Sequence, residues 1–199
     1  FIQLVDRIGE YQDPEKLDLN NGGIICLVGP TGSGKTTIVH SLMKSDHFAR
    51  PHTTTTRKRR QGESESYRFV SRNEFVEMKE QGAFLETTVY GGEYYGTTKE
   101  GLDKIINSGR VALMPVDICG GISIKNAYPD HTALVFLLRA RTQVLRSILQ
   151  RGCPEDEKVL RIMSLDAEYR NEYICDLTLN MNGPVSSAIS YLKNVLSLA

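Results

Sequence analysis

A short glycine-rich stretch directly after an apolar run constrains this chain more than any other feature. Gly29–Thr36 reads Gly-Pro-Thr-Gly-Ser-Gly-Lys-Thr and follows Ile24–Val28, which is apolar throughout. A glycine loop between a strand and a helix turns its backbone N–H groups into one concavity, and the following helix adds its positive dipole end. The spacing G-x-x-x-x-G-K-[ST] therefore predicts a phosphate-binding loop at the edge of a parallel sheet.

The residues of this loop have expected roles toward a nucleoside triphosphate. Lys35 places a positive charge on the β- and γ-phosphates, and the Thr36 hydroxyl is the expected protein ligand of Mg²⁺. A glycine-rich turn that merely links strand to helix is the alternative, which the pair Lys35 and Thr36 disfavours. The predicted contacts to the triphosphate are Thr31, Gly32, Ser33, Gly34, Lys35, Thr36 and Thr37.

Short apolar runs alternate with longer segments of helical period along the chain. This alternation predicts an α/β fold with a mostly parallel sheet flanked by helices, of the P-loop nucleoside-triphosphatase type. The strand and helix pairs are Ile24–Val28 with Thr36–Lys44, Arg68–Val70 with Arg72–Gln81, Val111–Val116 with Gly120–Tyr128, and Ala133–Leu138 with Thr142–Gln150.

Two of these helix starts carry candidate caps. Ser71 stands three residues before Glu74, which is the spacing of a capping box. Thr142 follows the apolar run Ala133–Leu138 and is predicted to cap the helix after it.

Composition excludes several classes of protein. The 199 residues hold 24 Lys and Arg against 24 Asp and Glu, so the basic surplus typical of nucleic-acid or anionic-membrane binding is missing. No run approaches the roughly 18 apolar residues of a membrane-spanning helix, so we expect a soluble protein that binds neither. The four cysteines form no C-x-x-C pair, which favours a reduced intracellular protein, and the four histidines do not cluster as a metal site.

Residues 1–23 differ from the rest of the chain, because turn signals surround a short polar segment there. We expect this part to be an N-terminal extension of unknown role, either a docked helix or a linker. The chain begins with Phe1 and not with Met, so we also expect a segment upstream of it.

Beyond the loop, the order of several motifs resembles the guanylate kinase family. Thr55–Glu63 follows the family pattern T-T-R-x-x-R-x-G-E, and Tyr67–Ser71 follows Y-x-F-V-S. The likeness continues through Gly82–Glu86, Tyr94–Thr98, Val116–Gly120 and Arg151-Gly152. It spans residues 24–199 and implies one domain, with a GMP-binding insertion at about 53–98 and a helical lid at about 146–170.

The resemblance implies a role for each matching residue on the acceptor side. Arg57 and Arg60 would grip the phosphate of GMP with Tyr67, because guanidinium forks donate paired charge-assisted bonds to a phosphate. Glu86 would read guanine by accepting from its N1–H and exocyclic amino group. The remaining contacts implied for GMP are Thr53 and Thr97 on the base, Tyr95 near the phosphate, and Asp117 on the guanine.

The resemblance also implies the donor side and the chemistry. ATP would be the phosphoryl donor with Mg²⁺, and Asn180 would lie near the adenine. Arg151 and Arg161 would be lid arginines that act with Lys35 and Arg57 on the transferring phosphoryl group. A further lid arginine of the family falls on Ser147 here, with Arg146 beside it as a substitute.

One position departs from the family pattern. The family's strand ends D-x-D, with its first Asp near the metal, whereas this chain reads Pro115–Val116–Asp117. We therefore expect Mg²⁺ to be held by Thr36, ATP and water, or turnover to be weakened.

Three functions remain open from the sequence. The leading one is phosphorylation of GMP, and of dGMP, by ATP in a cytoplasmic enzyme that is a monomer or homodimer. A catalytically weakened guanylate kinase-like protein-interaction module is the alternative from another class. A third reading keeps the enzyme but gives it a ribose phosphate as acceptor, for which Glu86 and Asp117 would have no use as base readers.

Overall fold

The computed structural model describes residues 19–59, 67–90 and 92–198. Its strands are β1 (Gly23–Val28), β2 (Phe48–Ala49), β3 (Thr53–Thr55), β4 (Tyr67–Phe69), β5 (Phe84–Tyr90), β6 (Glu93–Thr98), β7 (Val111–Pro115), β8 (Thr132–Leu138) and β9 (Leu177–Asn180). Its α-helices are α1 (Lys35–Leu42), α2 (Arg72–Glu80), α3 (Lys99–Asn107), α4 (Ile118–Ala127), α5 (Arg141–Leu149), α6 (Glu155–Met163), α7 (Leu165–Arg170) and α8 (Val185–Val195). Short 3₁₀ turns lie at Pro129–His131 and Asn171–Ile174.

The central sheet has the strand order β2-β7-β1-β8-β9 within the described residues, and every neighbouring pair is parallel. All six residues of β1 are buried because helices cover both faces. Ile25 and Leu27 face α1 and α8 in one apolar cluster, whereas Ile24 and Cys26 face α3 and α4 in another. This alternation confirms the predicted α/β fold with a mostly parallel sheet flanked by helices.

A second, smaller sheet is inserted between β2 and β7. Its order is β4-β3-β6-β5, with β3 parallel to β4 and antiparallel to β6. Helix α2 covers it through Phe75, which is 1% exposed and stacks on Phe84 at 4.5 Å and on Tyr94 at 5.4 Å between ring centroids. Burying such a ring contributes roughly 1.5–3 kcal/mol, so this aromatic cluster holds the small sheet to its helix.

Three consecutive helices, α5 to α7, lie beside the glycine-rich loop. They share a small apolar cluster of Val144, Ile148 and Leu165, against which Ile162 and Tyr169 pack. None of the nine residues of α6 is buried, so this helix lies at the surface, where Ile162 packs against the cluster and Arg161 contacts the loop.

The two predicted caps have different outcomes. Ser71 Oγ accepts a hydrogen bond from Glu74 N at 3.1 Å, which confirms the cap of α2. The cap predicted at Thr142 is wrong, because α5 begins one residue earlier, at Arg141, and no side chain caps it. The N–H of Ala140 is instead held by Asn182 Oδ1 at 2.7 Å, so the loop after β9 fixes the start of this helix.

Within the residues that the structure describes, no helix is both long and apolar enough to cross a membrane. The same part of the chain contains no group of three or more His, Cys, Asp or Glu side chains placed to hold a metal ion.

Candidate active site

The glycine-rich loop after β1 forms a concave cradle at the carboxyl edge of the central sheet. Gly32 has φ +84°, and a Cβ there would lie 2.6 Å from Ser147 Oγ. Gly34 has φ +108°, and a Cβ there would lie 2.9 Å from the terminal carbon of Met181. No side chain of the described residues caps α1, so the N–H groups of its first turn are left to an anion in the cradle.

Lys35 lies across this cradle. Its Nζ donates to the carbonyl oxygen of Gly29 and, at 3.1 Å, to that of Pro30. Burial lowers the pKa of Lys35 to about 8, and the charges of Arg151 and Arg161 act in the same direction. The nearby carboxylate of Glu168 counteracts this fall. A buried ammonium with cations beside it favours an anion in the same place.

The two arginines that lower the pKa of Lys35 are Arg151 and Arg161. Arg161, on α6, donates from Nη1 to Thr31 Oγ1 of the loop. Glu157 Oε1 holds the same guanidinium at 2.6 Å from Nη2 and 3.0 Å from Nε. Arg161, predicted as a lid arginine, thus contacts the glycine-rich loop, and the charge of Arg151, the other predicted lid arginine, acts on Lys35.

The hydroxyl residues of the loop differ in exposure. Ser33 is fully buried, and its Oγ is without a hydrogen-bond partner in the described part of the chain. Thr36 and Thr37 are exposed on the first turn of α1. The Thr36 hydroxyl is therefore open to a hard cation, for which a hydroxyl is a suitable oxygen ligand.

Arg139 is a residue of this site that the sequence analysis missed. It follows β8, and its Nη1 donates to the carbonyl oxygen of Gly32 at 2.8 Å. Gln143 Oε1 holds its Nε at 2.9 Å. The signal that could have found it is its place directly after a buried parallel strand, where ligands of open α/β sheets bind.

Three of the predicted base contacts form one row across the small sheet. Thr53 on β3 is paired with Thr97 on β6, which is paired with Glu86 on β5. Directly paired residues share a face of the sheet, and Thr97 Oγ1 donates to Glu86 Oε1 at 2.9 Å. Tyr95 stands two residues before Thr97 and so lies on the same face.

Asp117 follows β7 of the central sheet and acts electrostatically on Glu86 of this row. Burial raises the pKa of Glu86, and the charge of Asp117 raises it further. The hydrogen bond from Thr97 counteracts this rise. Asp117 is also the N-cap of α4, where its Oδ1 accepts from Gly120 N at 2.7 Å. That bond fixes the carboxylate at the carboxyl end of β7, a second role that its sequence position did not reveal.

The predicted phosphate contacts of the acceptor are placed in part. Arg57 lies over the ring of Tyr67, with 5.2 Å from Cζ to the ring centroid, and its Nη1 donates to Lys58 O at 2.8 Å. These two predicted residues are thus neighbours. Arg60 lies outside the described residues.

Asn180 ends β9 beside the cradle. Its Oδ1 accepts from the backbone N–H and the side-chain amide of Asn182, both at 3.0 Å. Because Met181 contacts the glycine-rich loop, the turn after β9 borders the donor side. The adenine contact of Asn180 stays a prediction.

Comparison with known proteins identifies the family of this chain. The profile of the guanylate kinase family matches residues 22–198. This chain belongs to the guanylate kinase family. The guanylate kinase of Wolinella succinogenes is 36% identical over 162 residues, which cover 78% of this chain and 74% of that protein. The guanylate kinase of Desulfitobacterium hafniense is 30% identical over 186 residues, which cover 90% of this chain and 92% of that protein.

The fold has a solved counterpart as well. The crystal structure of guanylate kinase from Anaplasma phagocytophilum matches with a TM-score of 0.66 at 21% identity, over 89% of this chain and 86% of that one. The family membership and fold class predicted from the sequence are confirmed. As a member of the guanylate kinase family, the protein is a kinase, and the loop at residues 29–36 is its nucleotide-binding P-loop.

The structure shows the surroundings of the two positions, Pro115 and Ser147, at which this chain departs from the guanylate kinase pattern. Pro115 ends β7 and is paired with Leu27 of β1, so the strand end next to the P-loop carries no carboxylate at residue 115. Ser147 lies directly against Gly32, and this contact leaves no room for a long side chain between them. Arg139, which lies between β8 and α5, contacts the P-loop instead.

Proposed function

We propose that this protein transfers the γ-phosphoryl group of ATP to GMP. The observation that carries the proposal is the row Thr53, Thr97 and Glu86 facing Asp117, at the same edge of the central sheet as the cradle of Lys35. Guanine presents N1–H and its 2-amino group to a carboxylate, whereas adenine has no donor at either of these positions, so a half-buried Glu86 would select guanine.

The donor side would take the triphosphate. The N–H groups of the P-loop and of the first turn of α1 would bind its phosphates, with Lys35 on the β- and γ-phosphates. Thr36 fits a Mg²⁺ ion that arrives with ATP, since a hard cation accepts a hydroxyl together with phosphate and water oxygens. When bound, Mg²⁺ would neutralise charge on the β- and γ-phosphates. Asn180 would lie beside the adenine.

The phosphate of GMP would bind to Arg57, Arg60, Tyr67 and Tyr95. Arg57 and Tyr67 are already in contact. None of the proposed contacts uses the ribose 2′-hydroxyl, so we include dGMP as an acceptor. An assay of the purified protein with a panel of nucleotides tests GMP and dGMP as acceptors.

Phosphoryl transfer between these sites would rest on charge and position. The GMP phosphate is an anionic nucleophile, so no side chain has to remove a proton from it. Lys35 and Arg57 would neutralise the transferring group from the two sides of the cleft, and Arg151 and Arg161 from the lid. Closure of the lid would exclude water and so suppress hydrolysis of ATP.

The experiment is a coupled assay of ADP formation with Mg²⁺, ATP and GMP, dGMP, AMP, CMP, UMP or ribose 5-phosphate as acceptor. We expect turnover with GMP and dGMP and little with the other acceptors. If ADP formed with none of these acceptors, the proposed kinase activity would be rejected. A preference for ribose 5-phosphate would reject GMP as the acceptor. The interaction-module alternative is not favoured, because the P-loop is intact and the curated relatives are guanylate kinases.

A further inference from the structure

A cavity lies on the opposite face of the small sheet from the proposed GMP site. Its volume is about 350 Å³, and its walls come from both sheets. Thr54 lines it, whereas the preceding Thr53 belongs to the row that faces Glu86. Because successive residues of a strand point to opposite faces, the cavity and the GMP site share strand β3 without sharing side chains.

The lining of this cavity is strongly basic. Arg50 and His52 come from the segment that joins β2 to β3, Arg68 from β4, and Lys104 from α3. Arg110 precedes β7 and is the fifth basic residue of the lining. Glu100 is the one carboxylate among the lining residues that the structure describes.

The cations exceed what this carboxylate neutralises. Lys104 Nζ lies 2.6 Å from Glu100 Oε1, and this bond, with a smaller contribution from Arg68, lowers the pKa of Glu100. Arg68 itself pairs at 3.2 Å with Glu74, which lies outside the cavity. Arg50 is exposed and makes no hydrogen bond or ion pair with any residue that the structure describes.

Arg110 is held in a fixed orientation. Its Nε donates to Asp46 O and its Nη2 to Phe48 O, both at 2.7 Å. A guanidinium carries five N–H donors, so these two bonds leave further donors for a ligand in the cavity. A fork fixed by backbone carbonyls loses little freedom when it binds an anion.

We propose that this cavity is a second anion site that binds a small phosphorylated molecule. Arg50 and Arg110 offer paired N–H donors, which match the oxygens of a phosphate group, and Lys104 adds a point charge. The apolar part of the wall, formed by Ala49, Pro51 and Ile105, leaves space for more than the phosphate itself. The site stands apart from the proposed function, because it uses none of the residues assigned to ATP or GMP.

His52 provides a reporter inside the cavity. The imidazole signals of the full chain are followed by NMR during titration with inorganic pyrophosphate, with GMP and a non-hydrolysable ATP analogue at saturation. The signal of His52 is assigned from the variant His52→Gln. A second titration with AMP in place of pyrophosphate separates recognition of the phosphate alone from recognition of a nucleotide.

We expect the His52 signal to shift and saturate with a Kd on the order of 1 mM, as for a few charge-assisted bonds in an open site. The double variant Arg50→Gln, Lys104→Gln should weaken binding at least tenfold. The matched control Lys44→Gln, Lys79→Gln removes two exposed charges elsewhere and should leave the Kd unchanged. Tighter binding of AMP than of pyrophosphate would identify a nucleotide as the ligand, and equal binding would identify the phosphate.

A His52 signal that moves with neither anion would overturn the proposal, as would equal binding by the wild type and the double variant. Because His52 reports on the cavity whether or not GMP occupies its own site, failure of the proposed function appears separately, in the nucleotide assay.

Discussion

The two sides of the cleft are built in different ways. The donor cradle consists of backbone on a strand that is buried along its whole length, and Lys35, Arg139 and Arg161 already donate hydrogen bonds to its loop. The proposed acceptor wall consists of side chains on the small sheet, where Glu86 is half-buried. Burial and the charge of Asp117, which follows β7, raise the pKa of Glu86.

The two sites differ in how far their geometry is fixed before a ligand binds. A backbone cradle is fixed once the glycine loop and its helix form, so it is complete before a ligand arrives. A side-chain pocket assembled from two sheets depends on how those sheets are placed, so its geometry responds to closure. We therefore expect donor-side changes to act on turnover as a whole and acceptor-side changes to act on selectivity.

The largest effect should come from the donor side. Lys35→Ala removes the charge at the cradle, and we expect kcat/KM to fall by about 10³-fold, as when one charged group is removed from a phosphoryl-transfer site. Steady-state kinetics with ATP and GMP measure it. Lys44→Ala, just after the same helix, is the control and should change little. A loss below tenfold for Lys35→Ala would show that the cradle backbone suffices.

On the acceptor side, Glu86→Gln should change selectivity more than turnover. An amide presents one acceptor and one donor group where the carboxylate presents two acceptors, so the preference for GMP over AMP should fall by about 10²-fold. The ratio of the two kcat/KM values measures it. Glu77→Gln, an exposed change on α2, is the matched control. An unchanged ratio would move base recognition away from Glu86.

The pH dependence of ATP binding should separate the two sides further. Burial, with the lid arginines, lowers the pKa of Lys35 to about 8, and a bound triphosphate favours the protonated form. Affinity for ATP should therefore be level below pH 8 and fall by up to about tenfold per pH unit above it. Calorimetric titrations between pH 7 and 9.5 measure this.

Two comparisons test the assignment to Lys35. The variant Lys35→Arg keeps its charge throughout this range and should give a flat profile, although with weaker binding. The affinity for GMP should not follow the same profile, because Lys35 lies on the donor side. A parallel fall for GMP would mean that the two sites are coupled through this lysine.

The smallest effect should be confined to the small sheet. Ser71→Ala removes the cap of α2 and should cost about 1 kcal/mol. Amide hydrogen exchange in α2 should become about fivefold faster, while exchange in β1 stays the same, if the small sheet opens on its own. Ser71→Thr keeps a capping hydroxyl and should restore protection. Equal acceleration in β1 would show that the two sheets unfold together.

Local chemistry explains which elements the sequence predicted well. The run Ile24–Val28 and the cap at Ser71 each depend on neighbours within a few residues, and the structure has a strand and a capped helix there. The start of α5 was predicted at Thr142. Asn182 instead holds the N–H of Ala140, 42 residues away in the chain, and the helix begins at Arg141. A contact of that range leaves no local pattern.

The site divides in the same way. The P-loop could be found from spacing alone, because one continuous segment contains both the cradle and its lysine. Arg139 could not, because its role arises only where the end of β8 comes beside the loop. The cap that Asp117 forms on α4 was likewise not evident, since its position pointed only to the end of a strand.

By itself, the sequence determined the strand, loop and helix of the P-loop, the alternating α/β order and the family. Each of these depends on motifs whose residues are close together in the chain. Only the tertiary structure decided which distant side chains meet. It put Thr53, Thr97 and Glu86 in one row, turned Thr54 and Arg68 to the opposite cavity, and brought Arg139 to Gly32. The physical reason is that strand register and the packing of two sheets, not chain distance, fix these contacts.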